Sequence, residues 1–378
     1  MAEYAKLGKG KRVLEIEIMK AVAIIGMIYV HVYELTGLLG VATSGIPYVI
    51  GWWICFFGGI FSAGAFMAAM GWGAAFSETH TPKIYLERFV KLNILGWIVN
   101  IYQQWIPMII CPEHYGDLSE KWYTILAVDI YAFAALATLY LALMKQLKDR
   151  PVLAISISGV LLGVCLFIND FVPVETISTG YDWLDTLIGL FIRENEFSYF
   201  PFISWIAFPV IGYWMGVAYR KSQNHTKYNI ILGVTGSIAV VLSTVLMNIQ
   251  NIPNAALDPY NVTDTEYYAM SSLNCLCGYG MIALEFVLAS GLLKLTKGVV
   301  PHVLLEMCKN VMHIYVAQWL FIGLLAKEIA NVYSTLTSIL ISTVVLVAAY
   351  AYAVLRESFL KKHKDSGAIR RLEKYMFR

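Results

Sequence analysis

Lys20 and His31 enclose ten mostly apolar residues, Ala21 to Val30. On a helix the two ends stand roughly 16 Å apart at 1.5 Å per residue. A bilayer's hydrocarbon core is about 30 Å thick, so a lysine at one interface places this histidine near the midplane. An ionisable side chain at that depth is costly and marks a candidate functional site. Imidazole titrates near pH 6.5 when unperturbed, so it can take a proton and return it at physiological pH. The bland alternative is a buried histidine that satisfies a neighbouring carbonyl or hydroxyl. Glu34 follows three residues later on the same helical face and is placed to orient the ring's second nitrogen as a carboxylate does for other histidine bases. Its bland alternative is an interfacial carboxylate facing water.

A second group of residues is cationic. Arg88 and Lys91 are three apart, on one face of a helix, near the same membrane surface as Lys20. Inner-end cations also set membrane orientation, which is their simplest explanation. Their functional reading is a phosphate clamp that meets an anionic cofactor arriving from the cytoplasm. Further polar residues lie inside apolar runs: Gln318 roughly 14 Å deep, Glu285 roughly 18 Å and Asp129 roughly 10 to 12 Å, at the helical rise per residue. Asn93, Asn100, Gln103 and Gln104 read as hydrogen-bonding glue between helices. The six cysteines lie in or beside apolar runs and read as small apolar fillers; Cys275 and Cys277 are too close-set for a zinc site and lack a matching pair.

The elements that position these residues follow from composition. Hydrophobic residues make up 58% of the 378 and charged ones 14%, with a mean hydropathy of +0.63. Soluble domains carry about 25% charge, so this chain cannot cover itself with polar surface and reads as an all-α polytopic membrane protein. The net charge of +2 points to no nucleic-acid partner. Ten hydrophobic spans are expected, at 18–39, 48–76, 86–110, 121–144, 151–170, 200–219, 228–248, 271–295, 309–326 and 332–356. The first is long and lacks a small-residue cleavage site, so it reads as a span rather than a leader. With both termini cytoplasmic, 25 of the 28 lysines and arginines fall on the inside; Lys121, Arg193 and Lys327 do not. The outer segments 111–121, 171–199 and 250–268 are polar and turn-rich, and 183–192 within the second reads as a short interfacial or re-entrant helix. The second span is dense in small residues from Gly58 to Gly73, a pattern for close helix packing or for a thin wall beside a long ligand. No soluble domain or internal repeat appears, so residues 1–378 read as one membrane domain.

At this point the chain resembles the acyltransferase-3 family of integral membrane acyltransferases and its heparan-α-glucosaminide acetyltransferase-like relatives. Arg12, Glu17, Lys20 and His31 are similar to the family's first-helix signature, with Glu for the more usual Asp and Lys for the more usual Arg. Phe61–Gly73 is similar to its Phe- and Gly-rich second helix, and Arg88 with Lys91 resembles its Arg-x-x-Arg motif. The run from Phe200 to Trp205, followed by Gly212 and Gly216, resembles a segment of the heparan-acetyltransferase-like branch; Gln318 stands where many members have His. The resemblance implies transfer of an acyl group, most often acetyl, from cytoplasmic acyl-CoA to a hydroxyl or amine of an extracytoplasmic carbohydrate or lipid-linked acceptor. It implies His31 as base, a multi-pass location in the plasma or inner membrane among its lipids, and no metal. The competing expectation is a proton-coupled transporter using His31, Asp129 and Glu285 as a relay. Against it, the sequence shows no inverted repeat and no paired broken helices.

Overall fold

The computed structural model describes residues 13–77, 81–172, 179–193 and 196–363. Arg12, the basic residues before it and the tail cations from Lys364 to Arg378 lie outside the described residues. Among the described residues the chain is helical without strands. α1 spans Leu14–Leu35, with Glu15 and Glu17 in its first turn, where the helix dipole favours negative charge. α2 (Gly45–Gly58) and α3 (Ile60–Phe76) are halves of one membrane crossing, broken at Gly59. α4 (Pro82–Asn100) opens with proline in its first turn, where a missing N–H costs nothing. It runs into a π-helical turn, Ile101–Trp105, and on into α5 (Ile106–Ile110). After α6 (Pro112–Tyr115) and a 3₁₀ turn, Trp122–Leu126, comes α7 (Ile130–Gln146), with Asp129 at its N-cap position.

α8 (Pro151–Phe171) again starts on proline. The outer segment after it carries α9, a seven-residue helix at Asp182–Ile188 where a short interfacial piece was expected. α10 (Phe202–Trp205) and α11 (Ala207–Lys221) follow, then α12 (His225–Gln250). Asn224 caps α12 by accepting from the Lys227 amide, and Asn251 ends it in the left-handed region at φ 54°. α13 (Asp264–Tyr268) is a single outer turn, and α14 (Ser272–Leu295) is capped by the Ser271 hydroxyl. α15 (His302–Lys309), α16 (Val311–Leu324) and α17 (Ala326–Ala330) form a stepped column, and α18 (Thr335–Lys362) closes the bundle.

Eight helical segments among the described residues are long and apolar enough to cross a membrane. They coincide with eight of the ten expected spans. The expected span at 86–110 corresponds to α4, the π turn and α5, whose first turns carry Lys83, Glu87, Arg88 and Lys91. The one at 309–326 corresponds to α16, which has 14 residues. The chain is an all-α integral membrane protein.

α1 is central, touching α2, α3, α14, α15, α16 and α18. α8, α12 and α18 are peripheral and turn exposed apolar side chains such as Val160, Phe167, Val241 and Val347 outward. That is the surface a lipid-facing helix needs. The small residues of α3 divide by face. Gly64, Ala68, Gly71 and Ala75 form a stripe against α11, where a Cβ built on Gly71 would stand 2.1 Å from the Pro209 carbonyl oxygen and one on Gly212 2.0 Å from that of Ala68. Close packing explains that stripe. The other face presents larger side chains, Phe66, Met67 and Met70, to a cavity described below.

Candidate functional site

α1 carries Lys20, Met27 and His31 at i, i+7 and i+11, close to one line along the helix. Lys20 Nζ lies 2.9 Å from Glu17 Oε1, one turn back. The other Glu17 oxygen accepts from the Cys308 thiol on α15 at 2.5 Å. The acid thus ties the lysine to a neighbouring helix. α4 contributes Arg88 and Lys91. The Arg88 guanidinium sits 5.7 Å from the centre of the Tyr85 ring.

All three cations line one cavity of about 480 Å³. Its walls are apolar: Met27 from α1, Phe66, Met67, Ala69 and Met70 from α3, Leu92 and Leu95 from α4, and Phe133 and Ala134 from α7. Tyr131 and Tyr315 also line it. The two rings meet edge to face with centroids 5.3 Å apart, and the Tyr131 hydroxyl donates to the Met312 carbonyl at 3.0 Å. The expected cationic cluster is therefore assembled in space, and a mostly apolar chamber adjoins it.

His31 stands beside this chamber, with Tyr315 touching both. The imidazole stacks on Trp319 at 4.5 Å between centroids and 29° between planes. Tyr315 meets it nearly perpendicular, at 6.1 Å and 81°. Gln318 Nε2 lies 3.1 Å from His31 Nδ1. One turn of α16 thus supplies three side chains to the ring, because residues 315, 318 and 319 share a helical face. Gln318 is fully buried, and a long polar side chain is held at such a site only where it has a partner.

Asp129 completes the surroundings. Its Oδ1 accepts from the Tyr315 hydroxyl at 2.8 Å, so this buried acid is paired with a tyrosine. The site links α1, α7 and α16 through Gln318, His31, Tyr315 and Asp129. The orienting role expected for Glu34 meets a different arrangement: the side chain at Nδ1 is Gln318. Glu34 lines a second, small outer cavity with Cys55, Gly59, Pro259 and Tyr267. Glu285 is 7% exposed, and neither of its carboxylate oxygens has a hydrogen-bond partner among the described residues.

The polar residues of the third span divide. Asn100 Nδ2 donates to the carbonyls of Ile125 and Ala127 at 2.8 and 2.7 Å, and Gln104 donates to the Tyr199 hydroxyl at 3.2 Å. Both join separate elements, as expected. Asn93 instead donates to the Phe89 carbonyl of its own helix. All six cysteines are buried and free. Sequence reasoning missed Tyr131, Tyr315 and Trp319 as parts of the site. An aromatic inside an apolar helix looks like core until the partner of its polar atom is known. The available signal was the spacing of Tyr315, Gln318 and Trp319, which puts them on one face.

The chain matches the family model described as an acyltransferase domain, acyltransferase-3, over residues 13–355, and it belongs to that family. It is a membrane acyltransferase. No curated protein matches it.

Proposed function

We propose that this membrane acyltransferase takes an acyl group, typically acetyl, from cytoplasmic acyl-CoA and passes it to a hydroxyl or amine of an extracytoplasmic acceptor, a cell-surface sugar or a lipid-linked one. The observation that carries this reading is the chamber that gathers Lys20, Arg88 and Lys91 and shares Tyr315 with His31. A CoA thioester has an anionic nucleotide at one end and an apolar arm at the other. The cations match its phosphates, and the methionine- and phenylalanine-lined walls match its arm.

In this reading His31 accepts the proton of the attacking hydroxyl as its oxygen bonds to the thioester carbonyl. The C–S bond then breaks, and the imidazolium returns the proton to the leaving sulfur. The products are an acyl ester and CoA thiol; an amine acceptor gives an amide by the same exchange. For Nε2 to be the base, the Gln318 amide turns its oxygen to the ring and takes the Nδ1 proton; the two ends of an amide are interchangeable in such a contact, and this orientation leaves the Nε2 lone pair free. Glu34, at the outer cavity, then belongs to the acceptor's approach.

The test uses the full-length protein purified in detergent. Acetyl-CoA binding is measured by calorimetry, and acyl transfer or slow hydrolysis by release of free thiol. Wild type is expected to bind the donor and turn it over, and His31→Ala to bind it with turnover lost and the thermal unfolding profile unchanged. Absence of acyl-CoA binding across several lipid compositions would reject the proposal.

A further inference from the structure

Several buried polar atoms around His31 have no hydrogen-bond partner among the described residues: Asn100 Oδ1, Asp129 Oδ2, one amide atom of Gln318 and Trp319 Nε1. The side chains that carry them form one neighbourhood. Gln318 and Trp319 both meet the imidazole. Asp129 is joined to Tyr315, one turn before Trp319 on α16. Asn100 is bonded to the Ala127 carbonyl, two residues before Asp129. Buried polar atoms are normally satisfied, so a cluster of unsatisfied ones beside a candidate base is a place where a polar ligand or water completes the set. The π turn that follows Asn100 is the kind of helix irregularity found at functional sites.

The chemistry of these atoms is uneven. Asn100 Nδ2 already donates to two carbonyls, and a carbonyl can only accept, so its orientation is settled and Oδ1 is an open acceptor. Asp129 offers another acceptor, on a carboxyl at the N-terminus of α7, where the helix dipole favours negative charge. It also receives the Tyr315 hydroxyl proton. Farther out, Glu34 lines the small outer cavity, and Asp258 accepts from Trp52 at 2.9 Å on the same side. A ligand that fits this region donates to Asn100 Oδ1 and Asp129 Oδ2, accepts from Trp319 Nε1 and carries no negative charge, as a neutral hydroxyl does.

We infer that Asp129 is a specificity-determining residue which restricts the acceptor to a donor-rich, uncharged or cationic alcohol or amine and excludes anionic ones. The inference rests on the acyl-transfer reading and adds the charge class of the acceptor. Its logic is a sorting of two substrates. The anionic donor is received among Lys20, Arg88 and Lys91, and the acceptor at a carboxylate. A carboxylated or phosphorylated acceptor would set its own oxygens against Asn100 Oδ1 and Asp129 Oδ2. Its charge would also oppose Asp129 across a few ångströms of protein.

The experiment is a competition. Wild-type protein and acetyl-CoA are incubated with equal concentrations of methyl glucoside, methyl glucosaminide and methyl glucuronide, and the acetylated products are quantified by mass spectrometry. The neutral and amino sugars are expected to exceed the glucuronide by about tenfold or more, the direction a like charge beside a carboxylate gives at an effective dielectric constant of about 20. Asp129→Asn keeps an acceptor for the Tyr315 hydroxyl and removes the charge, and should compress that ratio to about threefold or less. Tyr315→Phe keeps the carboxylate and should preserve the discrimination. Equal acetylation of glucoside and glucuronide by wild type overturns the inference, as does an unchanged ratio in a folded Asp129→Asn. If Asp129→Asn does not fold, the wild-type order of the three sugars decides. If wild type acetylates none of them while still hydrolysing acetyl-CoA, the inference is overturned; if it also leaves acetyl-CoA intact, the acyl-transfer reading itself fails.

Discussion

Glu17 touches no proposed substrate, yet it determines where Lys20 stands. Its carboxylate takes the ammonium on one oxygen and the Cys308 thiol on the other, which holds a long, flexible cation at the chamber. Arg88 is held differently, beside the face of Tyr85. Binding through such groups contributes equally to ground state and transition state, so losing one should raise KM more than it lowers kcat. Lys20→Ala and Arg88→Ala are each expected to raise the KM for acetyl-CoA by about tenfold, the size of one charge-assisted hydrogen bond, with kcat at saturating donor within about twofold of wild type. Steady-state kinetics against donor concentration checks this; an equal fall in kcat for either variant would separate that residue from the phosphate contact. Lys20, Arg88 and Lys91 were legible in the sequence because their spacing and the distribution of cations along the chain point to one end of the bundle. The surroundings of His31 were legible only in part. A three-residue spacing pointed to Glu34, but which way α1 turns its faces is decided by α16, some 287 positions away along the chain.

At the scale of elements, α3 does two jobs on two faces. Its small-residue stripe brings the α3 and α11 backbones together, and its larger residues wall the chamber. The sequence showed the abundance of small residues but not their division, since both readings use the same helix. The division makes a sharp comparison possible. Gly71→Ala drives a Cβ into the Pro209 carbonyl and is expected to destabilise the protein by about 1–3 kcal/mol, the usual cost of overpacking. Gly73→Ala, two residues on, meets nothing within 4 Å and is expected to be neutral or to stabilise by about 0.5–1 kcal/mol through helix propensity. Thermal unfolding in detergent, followed by size exclusion, distinguishes the two. Similar losses for both would mean that the stripe does not carry the packing. Helix ends were easier to read. Pro82 and Pro151 each open a helix, and Asn224, Ser271 and Ser334 cap theirs, because local chemistry sets these boundaries. The π turn at 101–105 lies just before Pro107, whose missing N–H breaks the i→i−4 ladder, and it packs against α16.

For the whole molecule, the all-α membrane class follows from hydropathy alone, whereas the convergence of α1, α4, α7 and α16 on one chamber does not. That convergence depends on contacts between segments far apart in the chain, which composition cannot encode. Orientation rests on the distribution of cations and predicts a cytoplasmic C-terminus. A fluorescent-protein fusion at residue 378 is expected to be bright, and a phosphatase fusion there inactive. The reverse result would put Lys20, Arg88 and Lys91 on the wrong side for the proposed cytoplasmic acyl-CoA. The contact between α3 and α11 has a consequence for the donor. With Gly71 and Gly212 already against opposing carbonyls, the helix behind the chamber has no room to retreat. What can adjust is the lining, where Met27, Met67, Met70 and Met312 have flexible, polarizable side chains. The chamber is then a mould with a fixed back and soft sides: under the proposed function it would reshape itself around branched or bent acyl groups more readily than it would deepen for longer ones.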